Sequence, residues 1–208
     1  MADKVMISKE TMENAFSYDD YREALDGMLS TESGSNGLIN YEDENLVEYT
    51  KLNVSRMQRL DKTTRLSEEL IKAARKLNRS VIWLLITEGW CGDAAHSTPI
   101  VAEVASESEN IDLRVILRDN NPKVMDMFLT DGKRSIPKLV VLDAHTKDVI
   151  GMWGPRPTPL QDSLPQMQVD ADGDKDTLMT AVQKWYNKDK SKTIMKELAA
   201  LLKEIDAA

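Results

Sequence analysis

Cysteine is almost absent from this sequence: Cys91 is the only one in 208 residues. A lone cysteine forms no internal disulfide, and it rules out a zinc or iron site whose protein ligands are all cysteines. The sequence therefore predicts no metal and no cofactor. Any thiol chemistry has to combine Cys91 with a thiol or disulfide from outside the chain.

Long apolar runs and basic runs are also missing. No segment approaches the roughly 18 uninterrupted apolar residues of a membrane span, and the start, MADKVMISKE, has no apolar signal core. The net charge is −8, and no run of lysine and arginine is long enough to follow a phosphate backbone. We therefore expect a cytoplasmic protein that has neither a nucleic acid nor a membrane as its partner.

The composition is otherwise that of an ordinary globular protein, with 41% hydrophobic and 30% charged residues. A chain of this length supports one sizeable core with an extension, but not comfortably two full domains. We expect an N-terminal helical extension over residues 1–78 and one main domain over residues 79–208.

The first part of the chain is patterned as helices. A short helix is predicted from Tyr18 to Leu29, followed by the small and flexible run STESGSNG at residues 30–37. From Glu42 to Leu77 the sequence is rich in helix formers, which predicts one long helix or two helices broken near Asn53. Its apolar residues repeat at helical spacing: Leu66, Leu70, Ala74 and Leu77.

The pattern changes at residue 81, where VIWLLITE is a continuous apolar run of strand length, typical of a strand buried on both faces. Strands and helices then alternate. KLVVLDA and VIGMWG, joined by the turn-like HTKD, predict an antiparallel hairpin. The sequence therefore predicts an α/β fold with a mixed central sheet flanked by helices. Its order is strand 81–88, helix 92–107, strand 111–119, a short helix that Asn121 caps and Pro122 begins, and the hairpin.

Two segments near the C-terminus are unusual. GPRPTPLQDSLP holds four prolines in twelve residues and predicts an extended, non-helical connection. DADGDKD, residues 170–176, resembles a calcium loop, but Lys175 replaces the required glycine and Ala181 the terminal glutamate. We reject calcium binding, and the acids instead favour the start of a last helical segment.

Cys91 follows the first strand and precedes a helix, in the sequence EGWCG. At a helix N-terminus, unpaired backbone amides and the helix dipole stabilise a thiolate, whereas the nearby Asp93 carboxylate opposes it. His96 lies about 140° around the helix axis from Cys91, which argues against a direct ion pair. A lone cysteine is commonly a small buried hydrophobe, but this junction favours an exposed, reactive thiol. His145 is interpreted as a solvated turn residue.

Around Cys91 the sequence resembles the thioredoxin family. The family signature is a Trp, a Cys, a Gly, a variable residue and a second Cys, at the start of a helix kinked by a proline eight residues after the first Cys. WCGDAAHSTP matches it at every position but one. The corresponding residues are Trp90, Cys91, Gly92, Asp93, Ala94 in place of the second cysteine, and Pro99 at the kink.

A second motif supports the same resemblance. The family has a cis-proline that faces the active site and precedes a core strand, and Ile136–Pro137 in RSIPKLVV occupies this place. Gly151 or Gly154 matches the family's glycine in the following strand. The resemblance covers residues 79–155 well. It implies a thioredoxin-like fold and a site made of Cys91 with its neighbours.

The departures from the family matter for function. The resemblance implies that Ala94 removes the thiol that resolves a mixed disulfide, so that an external thiol would have to do so. The family's buried acid falls on Leu85 and its partner lysine on Val115, which implies that the proton relay is lost. Ala94 is either natural or a change introduced to trap a complex, and the other departures make the second interpretation less attractive.

Two functions follow from the resemblance. In the favoured one, Cys91 forms mixed disulfides with a protein or a low-molecular-weight thiol, as in a redox protein of the oxidoreductase class. In the alternative, the chain is a non-catalytic binding scaffold. In both, the backbone of Ile136 would pair with an extended peptide beside Pro137, in a form of strand addition. Trp90, Gly92 and Asp93 would line the same site, although Trp90 and Pro137 also suit purely structural roles.

Overall fold

The computed structural model describes residues 7–31 and 38–207. Residues 32–37 of the loop predicted as flexible lie outside the described residues. Within the described residues, no helix is long and apolar enough to cross a membrane. The helices are α1 Lys9–Glu13, α2 Tyr18–Leu29, α3 Glu44–Thr63, α4 Glu68–Lys76, α5 Gly92–Ser106, α6 Pro122–Met125, α7 Thr158–Asp170, α8 Lys175–Asp189 and α9 Lys192–Ala207; the strands are β1 Val81–Thr87, β2 Ile111–Leu117, β3 Lys138–Asp143 and β4 Val149–Trp153.

The four strands form one mixed sheet in the order β2-β1-β3-β4. β1 pairs in parallel with β2 and antiparallel with β3, and β3 and β4 form the predicted antiparallel hairpin. Every residue of β1 is buried, as its continuous apolar sequence predicts. The α/β prediction of a mixed sheet flanked by helices is confirmed.

The side chains of β1 alternate between two apolar clusters, one on each face of the sheet. Trp83 and Leu85 belong to the cluster formed with α2, α3, α4, α5 and α9, whereas Leu84 and Ile86 belong to the cluster formed with α6 and Cys91. Burial of a large apolar side chain contributes about 1.5–3 kcal/mol, so β1 stabilises both layers. Helices α2 to α4 contribute side chains to the first of these clusters. The domain boundary at residue 78 stays a prediction.

The region from 42 to 77 forms two helices, but the break lies at residues 64–67 and not near Asn53. Ser67 begins the second helix, since its hydroxyl accepts a hydrogen bond from the amide of Leu70. Asn53 stays inside α3, where its side chain is buried and donates to the carbonyl of Gly89 at 2.9 Å. A tertiary contact thus replaces the predicted break.

The prediction of an extended connection through GPRPTPLQDSLP is wrong, because α7 runs through it from Thr158 to Asp170. Pro159 lies in the first turn, where a missing amide costs nothing. Pro165 removes one interior hydrogen bond, yet the helix continues. Leu160 is fully buried, which shows that packing outweighs the proline penalty here.

Two other local predictions have mixed outcomes. Asp174 caps α8 through the amide of Thr177, so the role of the acidic segment is confirmed. The last helical segment is broken between α8 and α9, where Lys190 and Ser191 have positive φ. Asn121 does precede α6, but its side chain donates to the carbonyl of Leu117 and does not cap the helix.

Gly154 ends β4 at a position that only glycine fits. Its φ is +102°, and a Cβ placed there would lie 2.3 Å from the carbonyl oxygen of Pro137. We predict that Gly154→Ala lowers the free energy of unfolding by at least about 3 kcal/mol or prevents folding, because backbone strain and a backbone overlap add. Urea denaturation measures this.

The matched control is Gly132→Ala. Gly132 also has a positive φ, of +71°, but nothing lies within 4 Å of an added Cβ. The control should lose only about 1 kcal/mol. Equal losses in the two variants would show that the contact with Pro137 is unimportant.

Candidate functional site

The candidate site lies where β1 runs into α5. Cys91 is the residue that precedes the first turn of α5 and makes no side-chain cap. The Ile136–Pro137 peptide bond is cis. The Ile136 carbonyl lies next to the Cys91 thiol, which donates a hydrogen bond to it at 3.4 Å. The structure thus brings together the two segments that the sequence singled out.

The Cys91 thiol is buried. The residue is only 8% exposed and packs in an apolar cluster with Ala94 and Ile136. Burial, together with the negative charge of Asp93, raises the pKa of Cys91 to about 12, although the amides of Ala94 and Asp93 oppose this. The expectation of an exposed, reactive thiol is therefore wrong, because the apolar cluster around Cys91 excludes the solvent that the thiolate needs.

Asp93 is buried beside Cys91 and has two partners from distant segments. The Arg156 guanidinium lies 2.7 Å from its carboxylate, and the Tyr186 hydroxyl of α8 donates to it at 2.9 Å. Burial raises the pKa of Asp93, and Arg156 and Tyr186 oppose that rise. The carboxylate fastens the segment after β4 and helix α8 to the start of α5.

His96 fixes the same helix one turn further along. Its Nε2 lies 2.7 Å from the Gln183 side-chain oxygen, and its ring stacks on Tyr186 with centroids 4.2 Å apart and an interplanar angle of 7°. Burial lowers the pKa of His96 to about 4, so the ring is neutral at pH 7. His96 therefore contacts α8, in agreement with the argument against pairing with Cys91. His145 is exposed in the hairpin turn, as predicted.

Trp90 is half-buried at the edge of the site. The Arg118 guanidinium lies 4.7 Å from the centroid of its ring, at cation–π distance. Arg118 also pairs with Asp119 at 2.7 Å. These contacts fix the indole against the end of β2.

Ile136 and Pro137 are both buried. The Ile136 carbonyl already accepts a hydrogen bond from the Cys91 thiol. The ammonium of Lys138, which follows Pro137, donates to the Thr130 hydroxyl at 2.8 Å. Gly92 is half-buried. The pairing of Ile136 with an extended peptide stays a prediction.

A sequence model of the thioredoxin family matches residues 39–172, which is more than half of the chain. The chain belongs to the thioredoxin family. The match begins well before residue 79, so in this thioredoxin-family protein it includes α3 and α4. No curated protein is significantly similar to it in sequence.

Solved structures support the fold. A protein of unknown function from Pseudomonas aeruginosa superposes with a TM-score of 0.59 at 17% identity, with 95% of this chain and 98% of that chain covered. An HIV epitope scaffold superposes with a TM-score of 0.60 at 15% identity, with 98% and 99% covered. At these low sequence identities, the superpositions show only that the folds are similar.

This family member carries a buried acid that the sequence analysis missed. Leu85 and Val115 are paired across β1 and β2 and both buried, so apolar side chains occupy the positions that the resemblance assigned to an acid and a lysine. Glu88, at the end of β1, is instead only 1% exposed. Its carboxylate accepts from the Tyr41 hydroxyl at 2.7 Å and from the Asp119 amide at 2.8 Å.

Burial raises the pKa of Glu88 to about 7. The Tyr41 hydroxyl also accepts from the Gly89 amide at 2.9 Å, so Tyr41 and Glu88 together hold the loop that carries Cys91. A glutamate at the end of an apolar strand was visible in the sequence. Its partner, almost fifty positions earlier, had no local signal.

Sequence analysis also missed Arg156, Gln183 and Tyr186. An acid directly after Trp-Cys-Gly suggests a need for a cationic partner, but nothing local identifies Arg156. In the described residues, no three side chains of His, Cys, Asp or Glu lie together so that they could hold a metal ion.

The raised pKa of Glu88 predicts a pH dependence of stability. The folded state binds the proton more tightly than the unfolded state, so between pH 4.5 and 7 the folded state carries more protons and stability falls as the pH rises. Wild type should lose about 2–3 kcal/mol relative to Glu88→Gln over this interval. Urea denaturation at several pH values measures the difference.

Glu23→Gln is the control, because Glu23 is exposed on α2 and the change removes a carboxylate without a buried contact. Its stability difference from wild type should stay flat with pH. If the Glu88→Gln difference is equally flat, Glu88 does not titrate in this interval.

Proposed function

We propose that this thioredoxin-family protein is a non-catalytic binding protein, which receives an extended peptide segment in a cleft beside a closed Cys91. The observation that carries the proposal is the state of the thiol: Cys91 is buried and its pKa is raised to about 12. The proposal develops the scaffold alternative and replaces thiol exchange as the favoured function.

Thiol–disulfide exchange needs a thiolate that can reach a disulfide. With a pKa of about 12, about one Cys91 thiol in 10⁵ is ionised at pH 7. The chain offers no second cysteine to resolve a mixed disulfide, and an external thiol would meet the same closed surface. These features weigh against the single-thiol redox hypothesis.

The cleft lies between α7, α8 and the loop that precedes Pro137, and Gly92 and Asp93 form its inner end. Its volume is about 460 Å³, within the usual range of ligand sites. The apolar wall comprises Leu164, Pro165, Leu178, Met179 and Val182; the polar wall comprises Thr130, Asp131, Lys133, Ser135, Arg156, Gln161, Gln168 and Gln183.

This lining suits a peptide. Glutamine side chains both donate and accept, and so match the alternating amides and carbonyls of an extended backbone. The apolar wall offers side-chain contacts, and Met179 is 42% exposed there, as is common in adaptable binding surfaces. The position next to Cys91 and Ile136–Pro137 agrees with the family's peptide-binding region.

Alkylation of Cys91 tests the closed thiol. We predict that iodoacetamide modifies native Cys91 at pH 7 about a thousandfold more slowly than the urea-denatured chain, with no rate inflection below pH 9, because burial suppresses the thiolate. Mass spectrometry follows the modification. An inflection below pH 8 at a rate near that of the denatured chain would instead support single-thiol redox chemistry.

Peptide selection tests the cleft. Peptides selected from a displayed random library on wild type should lose at least about tenfold in affinity for Met179→Lys, because a charge enters the apolar wall. They should bind Cys91→Ala unchanged. Val169→Lys is the matched control, since Val169 is 71% exposed on α7 and lies outside the cleft. Binding that needs Cys91, or no selected peptide at all, would contradict the proposal.

A further inference from the structure

A second cavity lies away from the peptide cleft, where the end of α3, the loop to α4 and the junction of α8 with α9 meet His96 of α5. We call it the basic cavity. Its volume is about 380 Å³. It is lined by Arg59, Leu60, Thr63, Thr64, Arg65, His96, Tyr186, Asn187, Lys190, Ser191 and Met195.

The charged side chains that line the basic cavity are positive. Arg59, Arg65 and Lys190 supply three cations, and no carboxylate of the described residues lines the cavity. Within residues 7–31 and 38–207, none of the three makes a salt bridge. In a chain of net charge −8, three unneutralised cations around one cavity form a local site of positive potential.

Two carboxylates close in sequence to these cations, Asp61 and Asp189, have contacts elsewhere. Asp61 binds Arg22 and also accepts from the Tyr18 hydroxyl at 2.7 Å. Asp189 accepts from the amide of Thr193 at 3.1 Å and from its hydroxyl. Asp61 is therefore neutralised by Arg22, and neither carboxylate lines the cavity.

Positive charges also act on His96, which lines the cavity. The charges of Arg56 and Arg59 act with burial to lower the pKa of His96, and the charge of Arg59 also lowers the pKa of Arg56. The remaining polar groups include hydroxyls and the Asn187 amide, which can donate hydrogen bonds. The cavity therefore offers cations and donors to an anion.

The geometry points to a small phosphorylated molecule as the ligand: we propose that Arg59, Arg65 and Lys190 bind its phosphoryl oxygens in the basic cavity. Arginine forks match phosphate oxygens in pairs, and a lysine adds a point charge. Three cations suit a group that carries two or more negative charges better than a single carboxylate. The cavity volume suits a small molecule.

A purely structural role makes a different prediction. Arg65 donates to the carbonyls of Lys62 and Thr64 at the end of α3, and Lys190 ends α8, so both could offset helix C-termini. Among the described residues, the Arg59 side chain donates to no such carbonyl. If that is their whole role, wild type binds no phosphate and loss of the charges only lowers stability.

Calorimetry at low salt with pyrophosphate as the probe tests the proposal. Wild type should bind saturably at one site, with affinity that falls when 200 mM NaCl is added. Arg59→Gln combined with Lys190→Gln should weaken binding at least tenfold. Both side chains are exposed, so the fold should persist, and circular dichroism checks this.

The matched control combines Lys123→Gln with Lys175→Gln. It removes the same charge from exposed positions outside the cavity and should bind as wild type. NMR locates the ligand, because the ring signals of His96 should shift on addition of pyrophosphate while those of exposed His145 stay fixed. Phosphate should produce the same pattern more weakly.

Three outcomes would overturn the proposal. The first is the absence of saturable binding by wild type. The second is equal weakening in the two double variants, which would show a response to net charge alone. The third is citrate binding as tightly as pyrophosphate, which would contradict the phosphoryl assignment. None of these outcomes bears on the peptide cleft, whose test uses different residues.

Discussion

The burial of the Asp93 carboxylate is the constraint on which the candidate site depends. A buried carboxylate needs a cation and hydrogen-bond donors, because leaving it unpaired costs about 3–5 kcal/mol. Arg156 and Tyr186 meet that need, so the segment after β4 and helix α8 are both drawn onto the start of α5.

Burial determines the direction in which the pKa of Cys91 shifts. A helix N-terminus favours a negative charge by about 0.3–1 kcal/mol, and up to about 2 kcal/mol in the best geometry. A rise in the pKa of Cys91 from 9.0 to about 12 corresponds to about 4 kcal/mol in the opposite sense. Burial and Asp93 therefore outweigh the helix dipole. A helix N-terminus lowers the pKa of an exposed cysteine, but its effect is too small to do so when the thiol is buried.

Local features of the fold could be predicted from the sequence. The continuous apolar run of β1, the β3–β4 hairpin and the juxtaposition of Cys91 with Ile136–Pro137 follow from periodicity, turn residues and a two-part motif. The helix through Pro165 could not, because the burial of Leu160 overrides the local preference. Propensity is a weak prior wherever packing opposes it.

The buried polar contacts of the site could not be predicted, because they join residues far apart in sequence. Asp93 and Tyr186 are 93 positions apart, and Tyr41 and Glu88 are 47 apart. The sequence shows that an acid follows Trp-Cys-Gly and that another ends β1, which raises the question of their partners. The packing of the surrounding segments determines which residues are those partners.

Contacts on both sides of the Cys91 loop hold it in place. Tyr41 precedes α3 and holds Glu88 and Gly89 on one side of the Cys91 loop. Tyr186 and Gln183 lie on α8 and hold Asp93 and His96 on the other. α8 also provides one wall of the cleft and part of the basic cavity. The sheet and α5 thus position the motif, the apolar cluster around it buries the thiol, and α8 contributes to both recessed surfaces.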